Sequence, residues 1–160
     1  MRRRARRSAQ PLDGMSELGA VLRCSGSKRA VQSFLASTTW KPLSVYWKGQ
    51  LRFKASMRPS AINGFNVNVS NAGSARQAAD AAAFIRKHLI ELRRLKRLRL
   101  HWVIDFSIDL HGVVFTRSIN LPQKFLASVA RLGGEIEVSA YTPAQPDMPS
   151  NTSLERTREG

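Results

Sequence analysis

The clearest pattern in the chain is a strict alternation of apolar and other residues from Leu98 to Leu110. Every second position there is apolar: Leu98, Leu100, Trp102, Ile104, Phe106, Ile108 and Leu110. A period of two over this length predicts a long β-strand with one buried face and one mostly polar face. A one-residue shift in pairing would bury both Asp105 and Asp109, so the pattern also specifies the register. We therefore predict the central strand of an antiparallel or mixed sheet.

Shorter patterns predict the remaining elements. Further strands are expected over 18–24, 43–47, 62–70, 113–119 and 135–141, and helices over 28–36, 74–95 and 121–132. The middle helix begins at a capping box formed by Ser74 and Gln77. Lys96 would enter its apolar stripe, so the helix is expected to end near Leu95. Residues 51–61 are polar and predict either an edge hairpin or a mobile loop.

The predicted order of elements is β-α-β-β-α-β-β-α-β. This order favours an α+β fold with helices on one face of a mostly antiparallel sheet. The first six elements have ferredoxin-like connectivity, and a further β-α-β unit extends that core. We expect one domain over residues 15–142. Residues 1–14 and 143–160 lack periodicity and are predicted to be disordered tails, with Met15 as an alternative start to Met1.

Charge adds a prediction about partners. The 160 residues include 26 Lys and Arg against 11 Asp and Glu, for a formal net charge of +15. Five arginines lie within residues 1–14, yet the body over 15–150 keeps 19 basic against 8 acidic residues. Such an excess favours a polyanion or an acidic protein as the partner.

Cysteine usage and hydropathy bear on the compartment. No apolar run approaches the length of a membrane span, and no apolar segment follows the basic N-terminus, so we expect neither a transmembrane helix nor a secretory signal. The single cysteine, Cys24, excludes an internal disulfide, as is common in a reducing cytoplasm. Cys24 itself is predicted to be a small core residue.

The strongest predicted surface feature is a basic stripe along the flank and back of the 74–95 helix. Its members are Arg86, Lys87, Arg93, Arg94 and Arg97. This stripe either binds phosphates or an acidic protein face, or simply forms a solvated helix back. Trp47 belongs to an aromatic cluster that either stacks nucleic-acid bases or forms core and rim. The other members of that cluster are Trp40, Tyr46 and Phe53, beside Arg52 and Lys54.

The polar face of the long strand offers titratable groups but no catalytic constellation. At a rise of about 3.3 Å per residue, Asp105 lies about 13 Å from both Asp109 and His101. That separation is too large for one metal ion or for a glycosidase pair. His111 shares this face, and cross-strand pairing with basic residues is the simpler interpretation. His88 is expected to be structural. We therefore predict no catalytic, cofactor-binding or metal-binding residues and no enzymatic activity.

Short motifs spread over about residues 18–142 carry a family resemblance. They are Thr38-Thr39-Trp40, Tyr46-Trp47-Lys48-Gly49, Gly64-Phe65, Asp105-Phe106, Leu121-Pro122 and Gly133-Gly134 ahead of the 137–141 strand, together with the long amphipathic helix. In these features the chain resembles the DUF4279 family of small bacterial proteins. That resemblance implies a fold and no site, because the family has no established activity.

The two ends of the chain carry a second resemblance. Residues 7–14 and 151–158 look like translated fragments of the recombination sites that bound integron gene cassettes. This resemblance implies a mobile gene whose terminal tails are read-through of a DNA element. The N-terminal arginine run would then have no role in binding nucleic acid.

These observations lead to competing functional hypotheses. The first is a non-enzymatic cytoplasmic module that binds another protein, as an immunity-like or accessory factor on a mobile cassette. The alternative is a nucleic-acid-binding protein that uses the basic helix face, with Trp47 as a stacking residue. A small-ligand site or enzyme between the sheet and the helices is a third hypothesis.

Overall fold

A computed structural model of the chain describes residues 19–51, 58–110, 116 and 118–141. The strands within them are β1 Ala20–Gly26, β2 Ser44–Tyr46, β3 Asn63–Ser70, β4 His101–Asp109 and β5 Glu135–Tyr141. The helices are α1 Lys28–Leu35, α2 Ser74–Lys87, α3 Leu89–Arg97 and α4 Gln123–Arg131. The predicted tails over 1–14 and 143–160, and Met15 as a start, lie outside the described residues.

The strands form a single mixed sheet in the order β2-β3-β1-β4-β5. β1 pairs antiparallel with both β3 and β4, and β2 pairs antiparallel with β3. β5 alone runs parallel to its neighbour, β4, and α4 forms the crossover between them. The predicted α+β fold with a mostly antiparallel sheet is therefore confirmed, while the ferredoxin-like description of its first six elements stays a prediction.

The strand expected over 113–119 is not seen where this stretch is described. Thr116 and residues 118–119 are outside any strand, and the other residues of the stretch lie outside the described ranges. The pairing of β4 gives the physical reason. β1 and β5 already occupy its two edges, so β4 has no free edge for a hairpin partner. Of the predicted β-α-β extension, the described residues show α4 and β5.

All four helices contribute to one apolar core on one face of the sheet. The strands contribute alternate residues, among them Leu22 and Cys24 of β1 and Ile104 of β4, all fully buried. The helices contribute Val31 and Phe34 from α1, Ala78, Ala81 and Ile85 from α2, Leu92 and Leu95 from α3, and Phe125 and Val129 from α4. The alternation along β4 therefore separates a helix-covered face from a second face that no described helix covers. We call this second face the open face, although Asp105 and Ser107 on it are themselves buried.

The helix predicted over 74–95 is two helices. His88 leaves helical geometry, with φ −111° and ψ 27°, and so divides α2 from α3. Its ring lies 4.5 Å from the ring of Phe84, and the Trp40 indole Nε1–H donates to its Nδ1 at 2.9 Å. Leu92 and Leu95 continue the stripe of buried residues from α2, which leaves Lys96 exposed, and α3 continues to Arg97. The expected end at Leu95 was therefore too early.

The turn from α3 into β4 places a non-glycine residue in the left-handed region. Arg99 has φ 55° and follows the last turn of α3. Its N–H donates to the carbonyl of Lys96 at 3.1 Å, and the N–H of Leu100 donates to the carbonyl of Leu95 at 3.0 Å. α4 ends in the same motif, with Gly133 at φ 73° in the corresponding position.

Residues 51–61, for which the sequence predicts either an edge hairpin or a mobile loop, are paired at their base. Leu51 and Pro59 form an isolated antiparallel bridge. Ser60 donates its N–H to the carbonyl of Gln50 at 2.8 Å, and Gly49 donates to the carbonyl of Ser60 at 2.8 Å. The base of this segment is therefore a hairpin, while residues 52–57 lie outside the described ranges.

Candidate functional site

Basic side chains dominate the three helices α2, α3 and α4, which we call the helix layer. These helices carry nine Lys and Arg residues: Arg76, Arg86, Lys87, Arg93, Arg94, Lys96, Arg97, Lys124 and Arg131. Their acidic residues are Asp80, which accepts from Ser70 Oγ at 2.7 Å, and Glu91, which accepts from Thr39 Oγ1 at 3.5 Å. No described carboxylate forms an ion pair with a helix-layer cation. This surface therefore attracts anions.

One part of the helix layer combines charge with exposed apolar surface. Ile90, Arg93, Lys96 and Arg97 of α3 line a single shallow depression of about 620 Å³, which we call the α3 patch. Ile90 is 75% exposed, the largest exposed fraction among the large apolar residues of the described chain. The Lys96 ammonium donates to the carbonyl of Arg131 at 3.4 Å, which joins α3 to the end of α4. The patch therefore presents one apolar side chain among three cations.

The predicted basic stripe is divided by the structure. Arg93 and Arg97 meet in the α3 patch, whereas Arg86 lines a separate groove between α2 and α4, opposite Lys124. Lys87 is exposed at the end of α2. The wall of the groove along α2 is formed by small residues, Ala75, Ala78, Ala79 and Ala82. The stripe is thus two neighbouring cationic features and not one continuous surface.

Arg94 faces a different neighbour from the other members of the stripe. Its guanidinium donates to the carbonyls of Ser33 at 3.1 Å and Ser37 at 3.2 Å, at the end of α1. It also lies 5.7 Å from the ring centre of Phe34. Arg94 therefore satisfies carbonyls at a helix C-terminus, where a cation also complements the helix dipole. It holds α1 against α3.

Trp47 lies apart from the α3 patch. Its side chain is half-buried against the core just after β2, and the Lys28 ammonium is 5.8 Å from its ring centre. The neighbouring aromatic residues Trp40 and Tyr46 are buried, and the Tyr46 hydroxyl donates to the carbonyl of Cys24 at 3.4 Å. Their core interpretation is the correct one. Phe53 lies outside the described residues.

The polar face of β4 holds the cross-strand pairs that its sequence favoured. The Arg23 guanidinium lies 3.6 Å from Asp105 and also bonds to Glu137, which is opposite Asp105 on β5. Ser139 Oγ donates to Asp105 at 2.7 Å. His101 pairs with Glu135 at 3.0 Å. The side chain of Asp109 and all of His111 lie outside the described parts of the structure. Within the described parts, no group of three His, Cys, Asp or Glu residues is placed to hold a metal ion.

The thiol of Cys24 is unreactive in this arrangement. The residue is fully buried on the helix-covered face of β1. Burial raises the pKa of its thiol to about 12, so the thiol stays protonated at neutral pH. An unreactive buried thiol agrees with the prediction of a small core residue.

Sequence reasoning missed Ile90, Lys96 and Lys124 as surface partners of the predicted arginines. Lys96 was missed because Leu95, and not residue 96, continues the buried stripe after Leu92. Ile90 could have been identified from the sequence, since it falls outside the apolar stripe of α3 and charged residues lie one helical turn before and after it. Lys124 had no such signal, because its approach to Arg86 depends on how α2 and α4 pack.

Two findings concern the chain as a whole. Among the described residues, no helix combines the length and the apolar character that a membrane crossing requires. Compared with protein-family models, with curated proteins and with solved structures, the chain has no match in any of the three.

Proposed function

We propose that this chain is a non-enzymatic binding module that recognises an acidic protein partner through the α3 patch. The observation that carries the proposal is the exposed Ile90 in one depression with Arg93, Lys96 and Arg97. Such a combination complements a protein surface that offers both carboxylates and an apolar contact. Protein interfaces typically derive most of their affinity from a few anchor residues, and Arg is one of the residue types enriched among them.

Charge and apolar contact have different roles in this proposal. The helix layer carries nine basic against two acidic residues, so its field steers an acidic partner toward the patch and raises the association rate. Burying a whole isoleucine side chain contributes about 1.5–3 kcal/mol. Ile90 therefore supplies the short-range selectivity that charge alone does not give.

A nucleic acid is the alternative partner, and the same surface would also attract its phosphates. Phosphate contacts need cations and no apolar side chain. The exposed Ile90 in the same depression as these cations therefore favours a protein. The same proposal includes an immunity-like or accessory role on a mobile cassette. It also includes a location in the bacterial cytoplasm and the resemblance to the DUF4279 family. The free, buried Cys24 supports a reducing compartment.

The test uses three fluorescent probes of defined composition on the full chain. They are a peptide that alternates Glu and Leu, a poly-Glu peptide of equal length, and a 20-base-pair DNA duplex, each at about 50 and 200 mM salt. We expect the Glu-Leu peptide to bind most tightly. Ile90→Ser should weaken that peptide about tenfold and leave the other two probes unchanged, consistent with the loss of about 1.4 kcal/mol.

Charge variants complete this test. Arg93→Gln with Arg97→Gln should weaken all three probes, whereas the matched control Arg76→Gln, on the helix layer but outside the patch, should have a smaller effect. If the DNA duplex binds most tightly, with a steep salt dependence that Ile90→Ser does not alter, the nucleic-acid alternative is correct. If no probe distinguishes Ile90→Ser from the unmodified chain, the α3 patch is not a protein-binding site.

A further inference from the structure

β5 forms one edge of the sheet and is seven residues long, whereas the opposite edge strand, β2, has three residues. Among the described residues no strand pairs with the outer edge of β5. Exposed apolar side chains gather around it. Val138, Tyr141 and Leu110 are each between 45% and 48% exposed, and Leu110 donates its N–H to the carbonyl of Tyr141 at 2.9 Å. A long edge strand with unpaired backbone groups is a template for pairing with another strand.

The register with β4 shows which way each β5 side chain points. Val138 lies opposite Phe106, which is buried on the helix-covered face, so Val138 is on that face as well. Ile136 and Ala140 share it, because side chains alternate along a strand. Glu135, Glu137, Ser139 and Tyr141 therefore occupy the open face. One face of β5 is apolar, and the other carries two carboxylates and two hydroxyls.

We propose that β5 is the interface of a symmetric dimer, in which it pairs antiparallel with β5 of a second copy about a twofold axis through Val138. Val138 is the middle residue of β5, so this register pairs the full strand and keeps both helix layers on the same side. The result is a continuous ten-stranded sheet. The surface is self-complementary, as a twofold interface requires.

The side-chain pairs in this register are compatible on both faces. On the helix-covered face Val138 meets its own copy, and Ile136 meets Ala140. On the open face Glu137 meets Ser139, and Glu135 meets Tyr141, so no two carboxylates are directly opposite. Like charges placed opposite each other destabilise a strand pair. A twofold axis through Glu137 would create that contact, which is why the axis through Val138 is favoured.

A second copy fits this edge better than a partner of unrelated sequence. When β5 pairs antiparallel with its own copy, apolar side chains meet apolar ones and polar side chains meet polar ones. An unrelated strand would need the same pattern of residues to pair equally well. α4 packs against β5 and leaves Leu126 41% exposed, so apolar surface extends beyond the strand. An interface built on one strand pair is small, and we therefore expect a dimer that dissociates on dilution.

Cysteine cross-linking tests the register. In the proposed dimer the two Val138 Cα atoms lie about 4.5–5.5 Å apart, within the range of a disulfide. The two Ala140 Cα atoms lie about 14 Å apart along the strands, beyond that range. We expect Val138→Cys to form a disulfide-linked dimer under mild oxidation at about 100 µM, and Ala140→Cys, on the same face, to remain unlinked. Native Cys24 is buried and does not interfere. Equal cross-linking at both positions would overturn the proposed register.

Sedimentation equilibrium of the full chain tests the dimer itself. We expect a reversible monomer–dimer equilibrium that shifts to monomer in Val138→Lys, because two ammonium groups would then face each other. The matched control is Val45→Lys, a change of the same residue type at similar exposure on the opposite edge strand, and it should dimerise as the unmodified chain does. A chain that is monomeric at every concentration up to about 200 µM, or a dimer lost only in Val45→Lys, would refute the proposal. Circular dichroism confirms that both variants are folded.

Discussion

On the helix-covered face of β4, Trp102, Ile104 and Phe106 are fully buried among apolar side chains, whereas on the open face of the same strand Asp105 is buried in an ion cluster. The stability that the helix-covered face contributes depends on complementary shape, because close-packed apolar side chains leave little room for added volume. The stability that the open face contributes depends on complete pairing of its polar groups, because a buried charge without a partner is costly. One strand therefore contributes two different kinds of stability.

The same comparison explains the basic surface. β4 and β5 contain four of the six acidic residues in the described chain: Asp105, Asp109, Glu135 and Glu137. Three of them pair with Arg23 or His101 on the open face. The acidic residues are thus concentrated away from the helix layer, whose cations pair with no described carboxylate. Segregation of charge between the two layers, as well as net charge, produces the α3 patch.

The largest effect is expected from added volume on the helix-covered face. A Cβ atom at Gly134 would lie 2.3 Å from the ring of Trp102, which is fully buried. Gly134→Ala should therefore displace that ring and lower the free energy of unfolding by about 3 kcal/mol. Urea unfolding followed by circular dichroism measures the change. Gly73→Ala is the control, because a Cβ there has open space around it. Equal stability of the two variants would contradict this account of the packed face.

The open face should respond to the loss of a partner. Asp105 is the most buried carboxylate of its cluster, with 8% of its side chain exposed, whereas Glu137 is 52% exposed. Asp105→Ala leaves Arg23 and Ser139 without their shared acceptor, and should cost about 2 kcal/mol of unfolding free energy. Glu137→Ala should cost less than about 1 kcal/mol, since an exposed ion pair contributes little. If the order were reversed in urea unfolding, burial would not be what sets the strength of this cluster.

A smaller change in stability is expected from substitutions in the turns that end α3 and α4. Arg99 has a left-handed backbone conformation that Gly133 adopts without strain at the equivalent position. Arg99→Gly should therefore stabilise the protein by about 0.5–1 kcal/mol, and Gly133→Ala should destabilise it by about 1 kcal/mol. Thermal unfolding of both variants provides the measurement. A destabilising Arg99→Gly would show that contacts of the arginine side chain outweigh backbone strain.

The smallest expected effect is a pH-dependent change in stability that comes from His88, at the boundary of the helix-covered core. Desolvation lowers the pKa of His88 from its ordinary value of 6.5, with Lys87 lowering it further and Glu91 opposing the shift. The neutral ring is the form that accepts the Trp40 hydrogen bond. Its contribution to stability is therefore fully present above pH 6.5 and is lost as the pH falls from 6.5 toward the pKa of the folded state.

Unfolding in urea at pH 7.5 and 5.5 measures this contribution. The unmodified chain should lose more stability between the two values than His88→Gln, whose side chain accepts a hydrogen bond without titrating in this range. The comparison of the two proteins removes the contribution of the other titratable groups. An identical pH dependence would show that His88 titrates in the same way in the folded and unfolded chains.

The alternation from residue 98 to residue 110 by itself determined much of this protein. It predicted a strand with a buried face and a polar face, and β4 has both over His101–Asp109, because period-two patterning specifies a unique register. Residues 98–100, which the same alternation placed in the strand, form the turn that ends α3. Apolar periodicity also located α1, α4 and β5, whose bounds are close to those expected. Of the site, the sequence supplied Arg93 and Arg97 as members of a basic surface. These features depend on spacing along the chain, which sequence states directly.

Tertiary structure decided the rest. The break at His88 lies where this residue accepts a hydrogen bond from Trp40, which is 48 residues away. The use of Arg94 at the end of α1, and the approach of Lys124 to Arg86, depend on how the helices pack. Strand order places β5 at one end of the sheet, so no described strand pairs with its outer edge. Each of these features is a contact between distant parts of the chain, and local periodicity carries no information about such contacts.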